Sequence, residues 1–387
     1  MSSSSKFIPF GVPSFSAAEV EAVTKVLRSN WVGQGAEVSA FEEEFATYVG
    51  ASTVLAVNSC TSALLCSLRA LGVGPGDEVI VPSLTWCSSA NAALYLGATP
   101  VFCDVELDSM SASAETITRV VTPQTKAVVF VHFGGLAFDI KALRSALPHD
   151  VEIVEDAAHA LGARYPDGNP VGSSGNFTCF SFYGNKNLAV GDGGAIAIHD
   201  RELAERLRAL SHQGLASDAW SRFVSPTVKG EGSISELGYK MNWTDLQASV
   251  GRVQLSKQKD LQRRRLDLAG FYRQALETAN LGLRYQLGIG TEAHAHHLFV
   301  LRIPKERMPL GRDGLLHRLR NKNIGASVHY TPLHKMPLYE HYLSNELPNT
   351  ECLSDQIITL PFSAVISSAE AQFVVSEIIN ELKQHEL

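Results

Sequence analysis

Apolar positions along the chain follow two rhythms. The stretch "SAAEVEAVTKVL" spaces Val20, Val23 and Leu27 three to four residues apart behind Ser16 and Glu19. That spacing predicts a helix opened by a capping box. A second helical stretch surrounds Phe41–Tyr48. From residue 53 short apolar runs alternate with helical ones. "TVLAVNS" (53–59), "DEVIVPS" (77–83), "TPVFCDV" (99–105), "KAVVFVHF" (126–133), "VEIVEDA" (151–157), "FTCFSFY" (177–183) and "GAIAIHD" (194–200) read as strands, with "TSALLCSLRAL" and "SSANAALYLG" as helices between them. Strands that are apolar throughout and separated by helices predict a mainly parallel sheet covered on both faces.

The alternation stops near Asp200. A helix follows in "ELAERLRALS", then the polar, irregular stretch 213–236, then a long helical pattern opened by Thr244 and Gln247. The domain change is placed in that pattern, giving a large domain over 1–255 and a smaller C-terminal α+β domain over 256–387. The smaller one holds "AHHLFVLRI" as a strand and a closing helix capped by Ser367 and Glu370. No internal repeat or low-complexity segment is present.

A chain of 387 residues can bury two cores. The net charge of −7 argues against a general nucleic-acid binder, which needs basic excess. No apolar run approaches the roughly 18 residues that span a bilayer. The start "MSSSSKFIPFG" lacks the apolar region of a signal peptide, so the expectation is a cytoplasmic protein away from membranes. Six cysteines without a Cys-x-x-Cys pair read as reduced, buried small hydrophobes, with no metal site.

In a sheet of this kind ligands sit beyond the carboxyl ends of the strands. Asp156 ends "VEIV", and a carboxylate there needs hydrogen bonds or a cation. Alone it suits a helix cap equally well. Lys186 follows "CFSFYGN", where low-dielectric walls ease loss of its proton and make it a nucleophile for carbonyls. Alone it suits an exposed loop. Together, a lysine for a Schiff base and an acid for a pyridinium nitrogen are what pyridoxal phosphate requires. "NSCTSALLCSL" adds a helix start whose N–H groups, with Thr61 and Ser62, suit the phosphate. A nicotinamide site is disfavoured, because "NSCTSAL" lacks the glycines of that fingerprint.

Seven stretches in order make the chain resemble the DegT/DnrJ/EryC1/StrS family of nucleotide-sugar aminotransferases. They are "GVPSFSAAEVEAV" with "WVGQGAEVSAFEEEFA", "NSCTSALLCSL", "VPSLTWCSSANAALYLGATPVFCDV", "VEDAAHALGA", "FSFYGNKNLAVGDGGAIA", "ELGYKMNWTDLQASVGRVQL" and "VHYTPLHKMPLY". The resemblance implies fold type I, the aspartate aminotransferase-like α/β architecture: a mainly parallel, mixed central sheet between helices. It implies catalytic roles for Lys186 (Schiff base) and Asp156 (pyridine nitrogen), ring stacking by Trp86, and a place for His159 near the cofactor's phenolic oxygen. Thr61, Ser62 and Ser181 match phosphate contacts. Asn242, with Lys240 as its rival, matches the segment sent to a partner subunit's phosphate.

The implied reaction takes an amino group from L-glutamate to a nucleotide-linked keto-sugar in a homodimer with shared active sites. "SHQGLASDAWSRF" and "LGYKMN" resemble members that aminate C4 of a 4-keto-6-deoxyhexose more than those acting at C3. The alternatives are C3 amination and a cofactor-binding regulator without turnover. Dehydratases of the family carry His at the lysine position, so Lys186 points to transamination. His329 and Tyr330 belong to a region that shapes the sugar site, or form a packed domain-interface pair. Cys60 stands where the family often has Gly, "AVGDGG" where it has "TTGEGG", and "MNWTD" where it has "YNMTD". None of these removes a catalytic group, and Trp243 is the departure expected to reshape the pocket edge.

Overall fold

Val- and Ile-rich runs form the seven strands of one sheet in a computed structural model that describes residues 6–215, 234 and 236–383. In chain order they are β1 (Thr53–Val57), β2 (Glu78–Pro82), β3 (Thr99–Cys103), β4 (Thr125–Val131), β5 (Glu152–Asp156), β6 (Phe177–Ser181) and β7 (Gly194–Ile198). Their spatial order is β1-β7-β6-β5-β4-β2-β3. All neighbours are parallel except those of β7, which is antiparallel to both β1 and β6. The sheet is therefore mixed and mainly parallel, as the alternation predicts. Each strand is a residue or more shorter than its apolar run, because the run continues into the loop that leaves the sheet.

The antiparallel strand has a direct consequence. The carboxyl ends of β1, β5 and β6 share one edge with the amino end of β7, where Gly194 pairs with both Val57 and Ser181. The glycine-rich turn after Lys186 is thereby brought back beside the strand that precedes the lysine.

Six helices precede or interleave with these strands, α1 (Ala17–Ser29), α2 (Ala36–Val49), α3 (Cys60–Ala70), α4 (Ser88–Leu94), α5 (Ala114–Thr118) and α6 (Ile140–Ala146), and α7 (Arg201–Ser211) follows them. β4 is buried along nearly its whole length and β7 entirely, since helices cover both faces. Two apolar cores flank the sheet. One holds Phe41, Phe45, Phe130, Phe180, Phe182 and Trp243, and the other Leu64, Leu68, Val79, Phe102, Ile196 and Leu210.

The capping box of α1 forms as expected. Its apolar face does not turn inward, however: Val20 and Leu27 are exposed, while Glu19 and Val26 are buried. Glu19 is held there by Gln254 Nε2 at 2.6 Å and by Lys257, which fixes the helix with its polar side inward.

Thr244 caps α8 (Asp245–Ser256), and the long helical pattern breaks there before α9 (Gln258–Thr278). The rest of the chain builds a three-stranded antiparallel sheet, order β10-β9-β8, from β8 (Arg284–Tyr285), β9 (Val300–Arg302) and β10 (Ile357–Thr359). With it go α10 (Gly311–Asn321), α11 (Pro348–Gln356) and α12 (Ser368–Lys383). Ser367 and Glu370 form the reciprocal bonds expected at the start of α12. Tyr272, Phe299 and Phe362 centre a separate core here, to which Ile8 is added from the other end of the chain. Strand β9 covers only the end of "AHHLFVLRI"; the histidines before it lie outside any strand. Among the described residues no helix is long and apolar enough to cross a membrane. All six cysteines are free; Cys60, Cys87 and Cys352 are partly exposed rather than buried as read from sequence.

Candidate active site

The shared strand edge opens into a cavity of about 450 Å³. Lys186, Asp156, His159, Trp86, Thr61, Ser181, His329 and Tyr330 all line it. Two expected residues are not among its walls. Ser62, in the first turn of α3, donates its hydroxyl back to Asn58 Oδ1 at 2.6 Å. Asn242 bridges to Val57 at the end of β1, and its Oδ1 accepts from Lys240 Nζ at 2.6 Å. Trp243 is fully buried against Phe41 and Phe182 rather than at the pocket edge.

Asp156 is the last residue of β5, in register with Val131 on one side and Cys179 on the other. Burial raises its pKa above the ordinary 3.8. Opposing that, Ser89 Oγ donates to Oδ2 at 2.8 Å and the Ala158 N–H donates to Oδ1 at 3.1 Å. Ser89 lies on α4, so this carboxylate is held by a helix packed over the strand end. Cys60 Sγ stands 4.0 Å from Oδ1.

Lys186 lies two residues beyond the Tyr183-Gly184 bend, and its N–H closes a turn on Tyr183 O at 2.9 Å. The residue is part-exposed at the cavity, but its amine sits among groups that displace water. Burial lowers its pKa from 10.5 to about 8, with Asp156 pulling in the opposite direction. The free amine therefore becomes available around pH 8, well below the range of an ordinary lysine. The amine is in hydrogen-bond contact with His297, whose Nε2 lies 3.4 Å from Nζ. Sequence reasoning missed His297, reading it as strand. The clustering of His294, His296 and His297 in an otherwise apolar stretch was the available signal.

His159 is buried, and burial with the Lys186 charge holds its pKa well below 6.5, so the ring is neutral. Its ring centroid lies 4.5 Å from that of His297. Trp86 remains 57% exposed, at 5.7 Å from the Tyr330 ring, leaving its face free for a planar ligand. At the opposite wall Ser59 caps α3 and takes the Ser62 N–H at 3.1 Å, leaving the first turn of the helix facing the cavity beside the Thr61 hydroxyl.

The donor set suits pyridoxal phosphate: a lowered-pKa amine, a buried carboxylate across the cavity, and a helix start with hydroxyls for a dianion. Fold and site together define a fold type I, pyridoxal-phosphate-dependent aminotransferase. Residues 13–379 match the DegT/DnrJ/EryC1/StrS aminotransferase family, and the chain belongs to that family of sugar aminotransferases. It is 39% identical, over 97% of both chains, to the spore coat polysaccharide biosynthesis protein SpsC of Bacillus subtilis. The aminotransferase TlmJ from Streptoalloteichus hindustanus superposes with a TM-score of 0.88 at 32% identity, covering 98% of this chain and 99% of its own. Spr1654 from Streptococcus pneumoniae, in its PLP form, gives 0.87 at 28% identity, covering 98% and 100%.

Proposed function

We propose that the protein transfers the amino group of L-glutamate to a nucleotide-linked keto-sugar, at C4 of a 4-keto-6-deoxyhexose. The observation that carries this reading is the pairing, across one cavity, of the Lys186 amine with the Asp156 carboxylate. The relationship to SpsC, named for polysaccharide biosynthesis, supports a sugar acceptor. Pyridoxal phosphate, when bound, supplies an electron sink for a carbanion at the donor's α-carbon.

The chain's residues have separate tasks in this proposal. Lys186 Nζ would hold the cofactor, and as a free amine it would take a proton from the donor and return one to the product. Asp156 would favour a positive charge on the ring nitrogen, and Ser89 and the Ala158 N–H favour its ionised form, opposing the burial that raises its pKa. Thr61, Ser181 and the α3 N-terminus would hold the phosphate, while Ser62, its hydroxyl spent on Asn58, would act only through the loop that shapes that end. Trp86 would cover the ring, with His159 in the wall beside it. His329 and Tyr330 shape the acceptor end.

The proposal includes a homodimer with shared sites, in which Asn242 or Lys240 reaches the partner's phosphate. Both side chains lie outside their own chain's cavity and bond to each other, which is consistent with such a use. Residues 213–236, to which acceptor choice is assigned in this proposal, lie largely outside the described residues.

The test is Lys186→Ala with reductive trapping by borohydride. Wild type should retain one pyridoxyl group per chain by mass and transaminate; the variant should do neither. Full activity in the variant would sink the assignment. Assays with paired 3-keto and 4-keto nucleotide sugars then decide position: turnover of the 3-keto substrate alone would replace C4 with C3.

A further inference from the structure

We propose that His297 is a positioning residue for Lys186, its bare Nε2 accepting a hydrogen bond from the amine because Asn187 fixes the ring proton on Nδ1. The assignment rests on the reading of Lys186 as the reactive amine, and starts from the residue beside it.

Asn187 is buried and spends its amide nitrogen on two groups that can only accept, Ala295 O at 2.8 Å and Leu161 O at 3.4 Å. The amide orientation is therefore set, and Oδ1 is the atom 3.2 Å from His297 Nδ1. Oδ1 cannot donate, so Nδ1 carries the hydrogen. A neutral imidazole has only one, which leaves Nε2 with a free lone pair, 3.4 Å from Lys186 Nζ.

The ring is neutral for reasons that converge from several elements. Burial holds His297 well below 6.5, and the charges of Lys186 and of Arg265 on α9 push the same way, as do His159 and His329. Arg265 is itself buried and donates to His296 O at 3.3 Å. The other groups acting on Lys186 are Asp156 at the end of β5 and Cys60 at the start of α3. His297 is thus the acceptor in contact with the amine.

An acceptor at Nε2 does two things for Lys186. It points one N–H away from the cavity, and so turns the lone pair of the free amine elsewhere. It also favours the charged form over the neutral one, because hydrogen bonds from ammonium are stronger than those from an amine. At 3.4 Å the bond is long and weak, so the amine can leave it.

The experiment measures the titration of Lys186 itself, in the full chain freed of cofactor. Competitive acylation with acetic anhydride across pH, read on the Lys186 peptide by mass spectrometry, gives the half-labelling point, about 8 in wild type. His297→Leu, which has no acceptor, should move it down by about half a unit to one unit. His297→Gln, whose Oε1 can accept, should leave it close to wild type. A folded His297→Leu chain that titrates like wild type overturns the proposal.

A second measurement needs no functional variant. In wild-type chain labelled with ¹⁵N-histidine, the His297 signals, assigned by their loss in His297→Gln, should show a protonated Nδ1 and a bare Nε2. The opposite tautomer, or a charged ring at neutral pH, overturns it. Neither readout involves cofactor or substrate, so failure here leaves the aminotransferase reading standing, and failure of transamination leaves this one standing.

Discussion

The hydroxyl of Tyr330 lies 3.0 Å from Nε2 of His159. His159 Nδ1 already accepts the N–H of Gly134 at 3.3 Å, so the neutral ring carries its proton on Nε2 and donates it to the tyrosine oxygen. The phenol's own proton is then free to face the cavity. Burial raises the Tyr330 pKa above 10, which keeps that proton in place at any working pH.

Tyr330→Phe removes the acceptor and leaves a buried imidazole N–H unpaired. We expect a loss of about 1–2 kcal/mol in the unfolding free energy of the cofactor-free chain, measured in urea. An unchanged urea midpoint with an unchanged slope would show that His159 finds another acceptor or adopts the other tautomer.

Lys186 makes stability depend on pH with an unusual sign. Its folded pKa of about 8 lies below the ordinary 10.5, so between these values the unfolded chain binds more protons than the folded one. The penalty for burying the ammonium is complete below about pH 8 and fades as pH rises towards 10.5. Lys186→Met has no such penalty. The variant should be the more stable one at pH 7, by on the order of 3 kcal/mol at most, with the gap closing as pH rises. Parallel urea titrations of both cofactor-free chains from neutral to basic pH check this, and a gap that widens would contradict it.

The lysine and the acid were legible because Asp156 ends one apolar strand and Lys186 follows closely on another, and the carboxyl ends of parallel strands share one edge. What holds them was not. Ser89 reads as an ordinary residue of the "SSANAALYLG" helix, and only the packing of α4 over β5 turns its hydroxyl to Asp156. His297 sits in a stretch whose apolar rhythm suggests a strand, yet the chain there is irregular and carries its histidines inward. The face of α1 was misread for a related reason. Val20, Val23 and Leu27 set the apparent apolar stripe, but the buried bonds of Glu19 to Gln254 and Lys257, some 235 residues away, decide which side turns in. Periodicity reports local preference; long-range polar partners override it.

Glu155 precedes Asp156 on β5 and so points to the opposite face of the sheet. It is fully buried and accepts from His132 Nε2 at 2.8 Å, Tyr165 Oη at 2.6 Å, Asn176 Nδ2 at 3.0 Å and the Ser174 hydroxyl. Burial alone would raise its pKa, and these donors, His132 foremost, outweigh it and hold it below 4.5. The group therefore stabilises the fold fully above pH 4.5, and this contribution is lost as pH falls through the lower folded value. Glu155→Gln turns an amide NH₂ towards groups that also donate. We expect a cost of about 3 kcal/mol at pH 7, shrinking below pH 4.5, measured by urea unfolding at each pH. A cost independent of pH would mean that shape, not charge, is what the site requires.

Gly194, the first residue of β7, is glycine for a reason of its own. Its φ is not in the left-handed region, so conformational freedom is not the reason. The reason is proximity. A Cβ there would lie 2.6 Å from the Cys60 nitrogen and from the Ser59 carbonyl carbon, and 2.8 Å from Phe180 O. All three are backbone atoms that cannot step aside cheaply. The strand β7 thus runs directly against the start of α3, the end that faces the cavity. Gly194→Ala must displace either the sheet register, which pairs Gly194 with Val57 and Ser181, or the first turn of the helix. Overpacking of this kind costs about 1–3 kcal/mol. If the helix yields, inorganic phosphate and pyridoxal phosphate should both bind at least tenfold more weakly, because the N–H groups that face the anion are the ones moved. If the sheet yields, stability falls while phosphate affinity holds. Calorimetric titration of the cofactor-free variant with each ligand, beside its urea midpoint, separates the two. A variant unchanged in both would show that the contact between β7 and α3 is looser than these distances imply.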